Sequence, residues 1–215
     1  MLAGVVGCNV YLTIIKGVTM SFINKRRRAL LAAATVVIAA LAVCLSGCDG
    51  DDGDGSYESV PIAGKMWMTK NLNIETGNSW CYDNNPENCA KYGRLYDWNT
   101  AKAACPSGWK LPDTTDWGRL VDEAGGKFDA GKKLKSLSGW DDYGNGTDEY
   151  GFAALPGGHR NSGGKFNDIG KNGVWWTATD RGGYAYVRDI NNDFDDALQD
   201  TRTVNNGFSV RCVKK

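Results

Sequence analysis

Histidine is almost missing from these 215 residues; His159 is the single one. An imidazole-rich zinc site is thereby excluded, and any Ser-His-Asp triad would have to be built on this one ring, with no Gly-x-Ser-x-Gly motif to supply its nucleophile. Proline is scarce too, with five residues, while eight tryptophans all fall after residue 66 beside 28 glycines. That balance excludes a collagen-like or disordered body. The apolar stretch at 29–43 has only about 15 residues, short of the roughly 20 needed for a comfortable membrane span. No Lys/Arg stripe is present, and the overall neutrality hides an asymmetry. Five cations precede Asp49 and no acid does, so the body carries 20 Lys and Arg against 25 Asp and Glu, a net charge of −5. An acidic body without clustered cations is not a nucleic-acid partner.

What is present at the start is an export leader. Lys25 to Arg28, the short apolar stretch and the small residues after it have the anatomy of a secretory signal peptide. The segment ends Leu45-Ser46-Gly47-Cys48, which resembles the bacterial lipoprotein box, with Cys48 as the thiol that receives the lipid and its palmitate. Residues 1–47 are therefore expected to be leader, with Met20 as the true start. Residues 48–56, rich in Asp and Gly, read as a flexible acidic tether. They lack the Glu at position twelve and the flanking helices of an EF-hand. The expected location is the cell envelope, lipid-anchored at the outer membrane or surface ahead of the inner membrane, with the membrane itself as a partner through the anchor.

Beyond the leader and Cys48, four cysteines remain: Cys81, Cys89, Cys105 and Cys212. An even number in an exported domain implies disulfides, with three possible connectivities. Turn-forming Asn, Asp and Pro between Cys81 and Cys89 favour a local bridge, leaving Cys105 for Cys212.

Residues 57–215 read as one α+β domain. Residues 57–62 and 65–68 form a hairpin around Ala63-Gly64. A short helix over 97–105 ends at Pro106. A second begins at Asp113 or Thr114 and carries the stripe Trp117, Leu120, Val121, Ala124. Residues 139–173 have no sustained period and read as one long loop. Strands follow over 174–179, 184–190 and 208–213, giving two helices, a long loop and a small antiparallel sheet.

Residues 60–72 (VPIAGKMWMTKNL), 92–98 (YGRLYDW), 105–112 (CPSGWKLP), 150–158 (YGFAALPGG) and 209–212 (SVRC) resemble the Fibrobacter succinogenes major paralogous (FISUMP) domain, which occurs on bacterial lipoproteins and secreted proteins. More distantly, the Trp98, Ala101, Cys105, Trp109, Leu111 spacing and the late Cys212 resemble a disulfide-stapled C-type lectin-like domain. That likeness implies a bridge from the first helix to the last strand and a long loop that carries ligands. The Glu-Pro-Asn or Gln-Pro-Asp triplet for calcium and sugar is absent, and so is the late cysteine pair of the formylglycine-generating relatives.

These readings point to a binding module that is not an enzyme and needs no cofactor, taking a polysaccharide or a partner protein. The alternatives are a structural surface scaffold without a small ligand and, behind it, an enzyme similar to the formylglycine-generating family. Trp140, Trp175 and Trp176 are the candidates for a surface site; adjacent rings on a strand face opposite sides, so at most one of Trp175 and Trp176 is core-facing in a one-sided sheet. Trp140 and Trp176, with His159 and Arg160 from the Gly-rich segment, are the expected ligand contacts. Asp141, Asp142, Asn145 and Asp148 could offer oxygens to calcium, and the 191–196 segment carries the same ambiguity. The leader is tested by Cys48→Ala. The variant is expected in the soluble fraction, without the diacylglycerol mass that intact-protein mass spectrometry finds on the parent chain.

Overall fold

The computed structural model describes residues 57–215; the expected leader, Met20, the acylation site Cys48 and the tether at 48–56 lie outside the described residues. No helix among the described residues is long and apolar enough to cross a membrane.

The body opens with the expected hairpin, β1 (Ser59–Ile62) and β2 (Lys65–Met68), in register Ile62 to Lys65. Both turn residues have positive φ, 50° at Ala63 and 74° at Gly64, matching the mirror-image turn whose twist suits paired strands. After β3 (Ser79–Trp80) comes a 3₁₀ turn, Tyr82–Asn84, and then α1 (Pro86–Tyr92). This first helix starts inside the Cys81–Cys89 loop and runs past it to Tyr92. The Asn85 side chain accepts the Glu87 N–H and Pro86 occupies the first turn, so the turn-forming residues between the two cysteines also start a helix. β4 (Leu95–Tyr96) leads into α2 (Trp98–Ala104), capped by Asp97 accepting from Thr100 N. β5 (Trp109–Lys110) precedes α3 (Thr114–Glu123), whose start is a capping box between Asp113 and Asp116. A short α4 (Ala130–Leu134) follows. The body thus has four helices where two were expected.

The expected long loop is also interrupted. Within it β6 (Gly157–Arg160) and β7 (Phe166–Ile169) form a hairpin. Then come β8 (Asn172–Asp180), β9 (Tyr184–Asn191), β10 (Leu198–Thr203), β11 (Phe208–Ser209) and β12 (Val213–Lys214). The last two stand where one strand was expected, and they enter different sheets. β12 joins β2 and β5 in a four-stranded sheet ordered β1-β2-β12-β5. β11 joins β8 and β4 in an eight-stranded sheet ordered β10-β9-β8-β11-β4-β3, with β6 and β7 attached at β8. β8 pairs in parallel with both β6 and β11. The small antiparallel sheet of the sequence reading is therefore replaced by two sheets, the larger one mixed.

Both faces of β8 are covered. Trp175 packs with Trp67, Trp117 and Phe152 in one cluster, while Trp176 packs with Tyr96, Trp98 and Phe208 in the other. The two adjacent rings do face opposite sides, but each meets a core, so neither reaches solvent. The surface expectation fails for the Trp pair because the sheet is two-sided, and for Trp140 because its ring packs into the first cluster. The indoles are held by hydrogen bonds: Trp175 Nε1 donates to Asn71 Oδ1 (2.8 Å), Trp176 Nε1 to the Tyr96 carbonyl (2.7 Å) and Trp140 Nε1 to the Ala154 carbonyl (3.0 Å).

Two disulfides staple this body, Cys81–Cys89 and Cys105–Cys212, with sequence separations of 8 and 107. The closed-loop entropies differ accordingly. Replacing Cys105 and Cys212 by Ser is expected to lower the unfolding free energy by about 4–5 kcal/mol, and replacing Cys81 and Cys89 by about 2–3 kcal/mol. Urea titration of the two double variants measures the difference.

Candidate functional site

The residues singled out in the sequence do not assemble into one site. Trp140 and Trp176 are interior. Asn145 Oδ1 accepts the Trp140 N–H (3.0 Å), Asp148 Oδ1 accepts the Ala153 N–H (2.7 Å), Asp142 Oδ2 accepts from Asn192 Nδ2 (3.2 Å), and Asp141 contributes its backbone N–H to the Gly170 carbonyl (2.8 Å). Among the described residues no three His, Cys, Asp or Glu side chains converge on a cation position. Three of the four side chains named for calcium thus accept hydrogen bonds from the protein itself.

His159 and Arg160 are neighbours on β6 and diverge. The His159 ring lies 5.9 Å from Phe208, with Nδ1 3.5 Å from Asp168 Oδ2. Burial pushes its pKa below the ordinary histidine value, Asp168 pulls it up, and Arg202 pushes it down again. The Arg160 guanidinium stacks 4.1 Å over the Trp80 ring, a cation–π contact.

A polar cleft does form where β8, β9 and β10 meet the 191–198 connection. Its volume is about 310 Å³, and its wall includes Asn172, Asp189, Asn191, Asp200 and Arg202, with Phe194 and Leu198 at the rim. The register explains the grouping. Asn172 lies opposite Asn191, and Asp189 opposite Leu198. Side chains alternate along a strand, so Asp189 and Asn191 share a face with Leu198, Asp200 and Arg202. Arg202 Nη2 is 3.5 Å from Asp189 Oδ2, and Arg202 Nη1 donates to Asp200. Asn191 Nδ2 donates to Asn172 Oδ1. Phe194 is 61% exposed and Leu198 41%, so apolar surface adjoins the polar wall.

The connection is fixed from below by buried cations. Lys135, with 1% of its surface exposed, donates from Nζ to the carbonyls of Asn191 (3.2 Å) and Phe194 (2.9 Å). Arg188, also buried, donates from Nη1 to the Ala197 carbonyl (3.1 Å). Lys132 N–H adds a bond to the Asp195 carbonyl (3.1 Å). The segments at 141–149 and 191–196, marked by composition alone, meet through Asp142 and Asn192. Asp189, Asp200, Arg202 and Asn172 were missed. The one sequence signal for them is the alternation Leu198, Asp200, Arg202, faint in an exposed strand.

Two carboxyls of this face are driven apart. Burial pushes Asp189 up to about 6 from an ordinary 3.8, and Arg202 offsets only part of that. At Asp200 burial acts in the same sense, but the hydrogen bonds from Arg202 and the Thr201 N–H outweigh it and its pKa is lowered. A carboxyl that binds its proton more tightly folded than unfolded lowers stability as pH rises, from about 4 until the loss is complete above about 6. Asp189→Asn is expected to remove that loss. Its unfolding free energy relative to the parent should grow between pH 4 and 6 and exceed it by about 1–3 kcal/mol at pH 7, as denaturant melts across that range would measure.

No curated protein and no solved structure matches the chain. One family model does, the Fibrobacter succinogenes major domain, over residues 60–214. The match runs from the first hairpin through the 191–198 connection to β12 and takes in the cleft with both staples. On that coverage, the chain belongs to the Fibrobacter succinogenes major domain family.

Proposed function

We propose that this chain is a lipid-anchored envelope protein whose body is a non-catalytic binding module for a hydroxyl-rich polysaccharide, held in the cleft between β9, β10 and the 191–198 connection. One observation carries the reading: carboxylates, side-chain amides and a guanidinium line one face beside exposed Phe194, on a connection whose backbone is fixed by Lys135. Binding sites combine a few convergent polar groups with apolar surface. A sugar ring offers the matching chemistry, hydroxyls for Asp189, Asn191 and Arg202 and an apolar C–H face for Phe194. A pre-fixed loop also loses less entropy when a ligand arrives.

The envelope location is supported by the lipoprotein box ending at Cys48 and by two disulfides, which persist where the environment is oxidising. A C-type lectin-like arrangement is supported by the bridge from the end of α2 to the chain's last segment and by the return of β12 to the opening hairpin. A non-catalytic role is supported by the position of the lone His159, which lies away from any nucleophile motif.

The test is a panel of cell-wall and capsular polysaccharides probed with the acyl-free chain. Binding is expected, with Phe194→Ala and Asn191→Ala each weakening it about tenfold or more while the melting temperature changes little. Trp176→Ala should instead destabilise the fold by about 3–5 kcal/mol, as loss of a buried aromatic does. No binding across the panel, or binding indifferent to Phe194 and Asn191, would overturn the assignment and favour a ligand-free surface scaffold.

A further inference from the structure

The two disulfides sit in different surroundings. Cys212 is fully buried and belongs to the second core cluster, with Cys105 packed against it. Cys81 and Cys89 instead line an open cavity of about 600 Å³, together with Trp80, Pro86 and Arg94. The Arg94 guanidinium, 12% exposed, is aimed at the sulfurs. Its Nη1 lies 3.7 Å from Cys81 Sγ and 3.8 Å from Cys89 Sγ. Its plane is fixed on the other side, where Nε donates to Ser79 Oγ (3.1 Å) and Nη2 to the Ser79 carbonyl (3.2 Å). The carboxylate it meets, Glu75 at 3.3 Å, sits on Nη2 and is 84% exposed, so Nη1 faces the sulfurs without a competing anion.

A neutral disulfide gains little from an adjacent cation, whereas a thiolate gains much, because a nearby Arg lowers a thiol's pKa. We propose that Cys81–Cys89 is a thiol–disulfide exchange site, opened by an external dithiol, with Arg94 stabilising the thiolate that departs. Cys81 is the less buried residue of the pair, so in this proposal the incoming thiolate attacks Cys81 Sγ. The S–S bond breaks and its electron pair goes to Cys89 Sγ, which becomes a thiolate beside Arg94 Nη1. The second thiol of the reductant loses its proton to water and, as thiolate, displaces Cys81. The reductant leaves as a disulfide, and the two protein sulfurs have gained two electrons, with water supplying the protons they take up. Exchange accelerates as the pKa of the leaving thiol falls.

Opening this bridge has a structural consequence beyond its own loop. Asp83 and Asn84 inside it are both in the left-handed region, with φ 52° and 55°, a conformation sustained by its surroundings. Tyr82, in the same loop, packs 5.2 Å from Phe166 on β7. Reduction therefore loosens the support of the β6–β7 hairpin that carries His159 and Arg160. This proposal does not rest on the polysaccharide reading.

The full chain is exposed to graded dithiothreitol, trapped with iodoacetamide and mapped by peptide mass. Cys81 and Cys89 are expected to label at dithiothreitol concentrations at least about tenfold below those that label Cys105 and Cys212. In the half-reduced protein, alkylation of Cys89 should titrate below the ordinary thiol value of about 8.5. Arg94→Gln should slow opening about three- to tenfold and move the Cys89 titration upward, with Arg94→Lys restoring most of both. Simultaneous or reversed opening of the two bridges in the parent chain, or a Cys89 that titrates at or above the ordinary value, would overturn the proposal. If Arg94→Gln unfolds, Cys105–Cys212 opens with the first bridge and reports it, and the Cys89 titration in the parent chain then decides.

Discussion

The guanidinium of Arg211 lies at the centre of the body with no exposed surface and no carboxylate bonded to it. Its charge is satisfied by neutral oxygens. Nε and Nη2 donate to Asn71 Oδ1 (3.0 and 2.8 Å), Nη1 to the carbonyls of Met68 (3.1 Å) and Phe152, and Nη2 to that of Ala153 (3.4 Å). The guanidinium also sits 4.3 Å over the Phe152 ring. A buried ion is costly unless every donor finds a partner, so this one arrangement dictates where three separate chain segments must run. Asn71 adds a fourth, donating to the Tyr92 carbonyl (2.8 Å) while accepting from the Trp175 indole. Of the five segments that carry the family resemblance, four meet at this hub: 60–72, 92–98, 150–158 and 209–212. Short motifs scattered along the chain describe a single polar contact set in space.

The same device recurs where the cleft is built. Lys135 and Arg188 are buried, burial pushes both pKa values down, and both spend hydrogen bonds on carbonyls of the 191–198 connection. A carbonyl is an acceptor in every protonation state the protein meets, whereas a carboxylate is not. Cations answered by carbonyls therefore hold the connection through pH changes that alter Asp189. The cost falls on the interior, where Arg188 Nε has no partner.

Legibility in the sequence followed the length and sidedness of each element. β1, β2, α2 and α3 could be read because their caps, turns and apolar stripes are local and complete. The disulfides followed from an even count and one short spacing. Strands of two residues, such as β3, β4, β5 and β11, have no period to detect. α1 was hidden inside a loop that looked like turns. The tryptophans misled because alternation was combined with an assumed one-sided sheet. The unbroken buried run from Val174 to Thr177 is instead the pattern of a strand covered on both faces. The cleft was the least readable part, since its wall comes from three strands in register, and register is a property of pairing rather than of any one segment.

Two-sided coverage also decides which parts of the sheet stay open. With β8 enclosed, solvent reaches the sheet at its outer strands, and β10 is an edge strand of the larger sheet among the described residues. An edge offers unpaired backbone groups to any other strand, and charged side chains are the usual protection against such pairing. Asp200 and Arg202 supply that protection here, and they are also part of the cleft wall. A protein strand docking on β10 would have to accommodate both charges along its length and would leave the pocket beside Phe194 unfilled. A ligand that approaches the face of the sheet meets the same charges as hydrogen-bonding partners. The residues that discourage strand addition are therefore also the ones that wall the cleft, so one pair of charges serves the edge of the sheet and its face together.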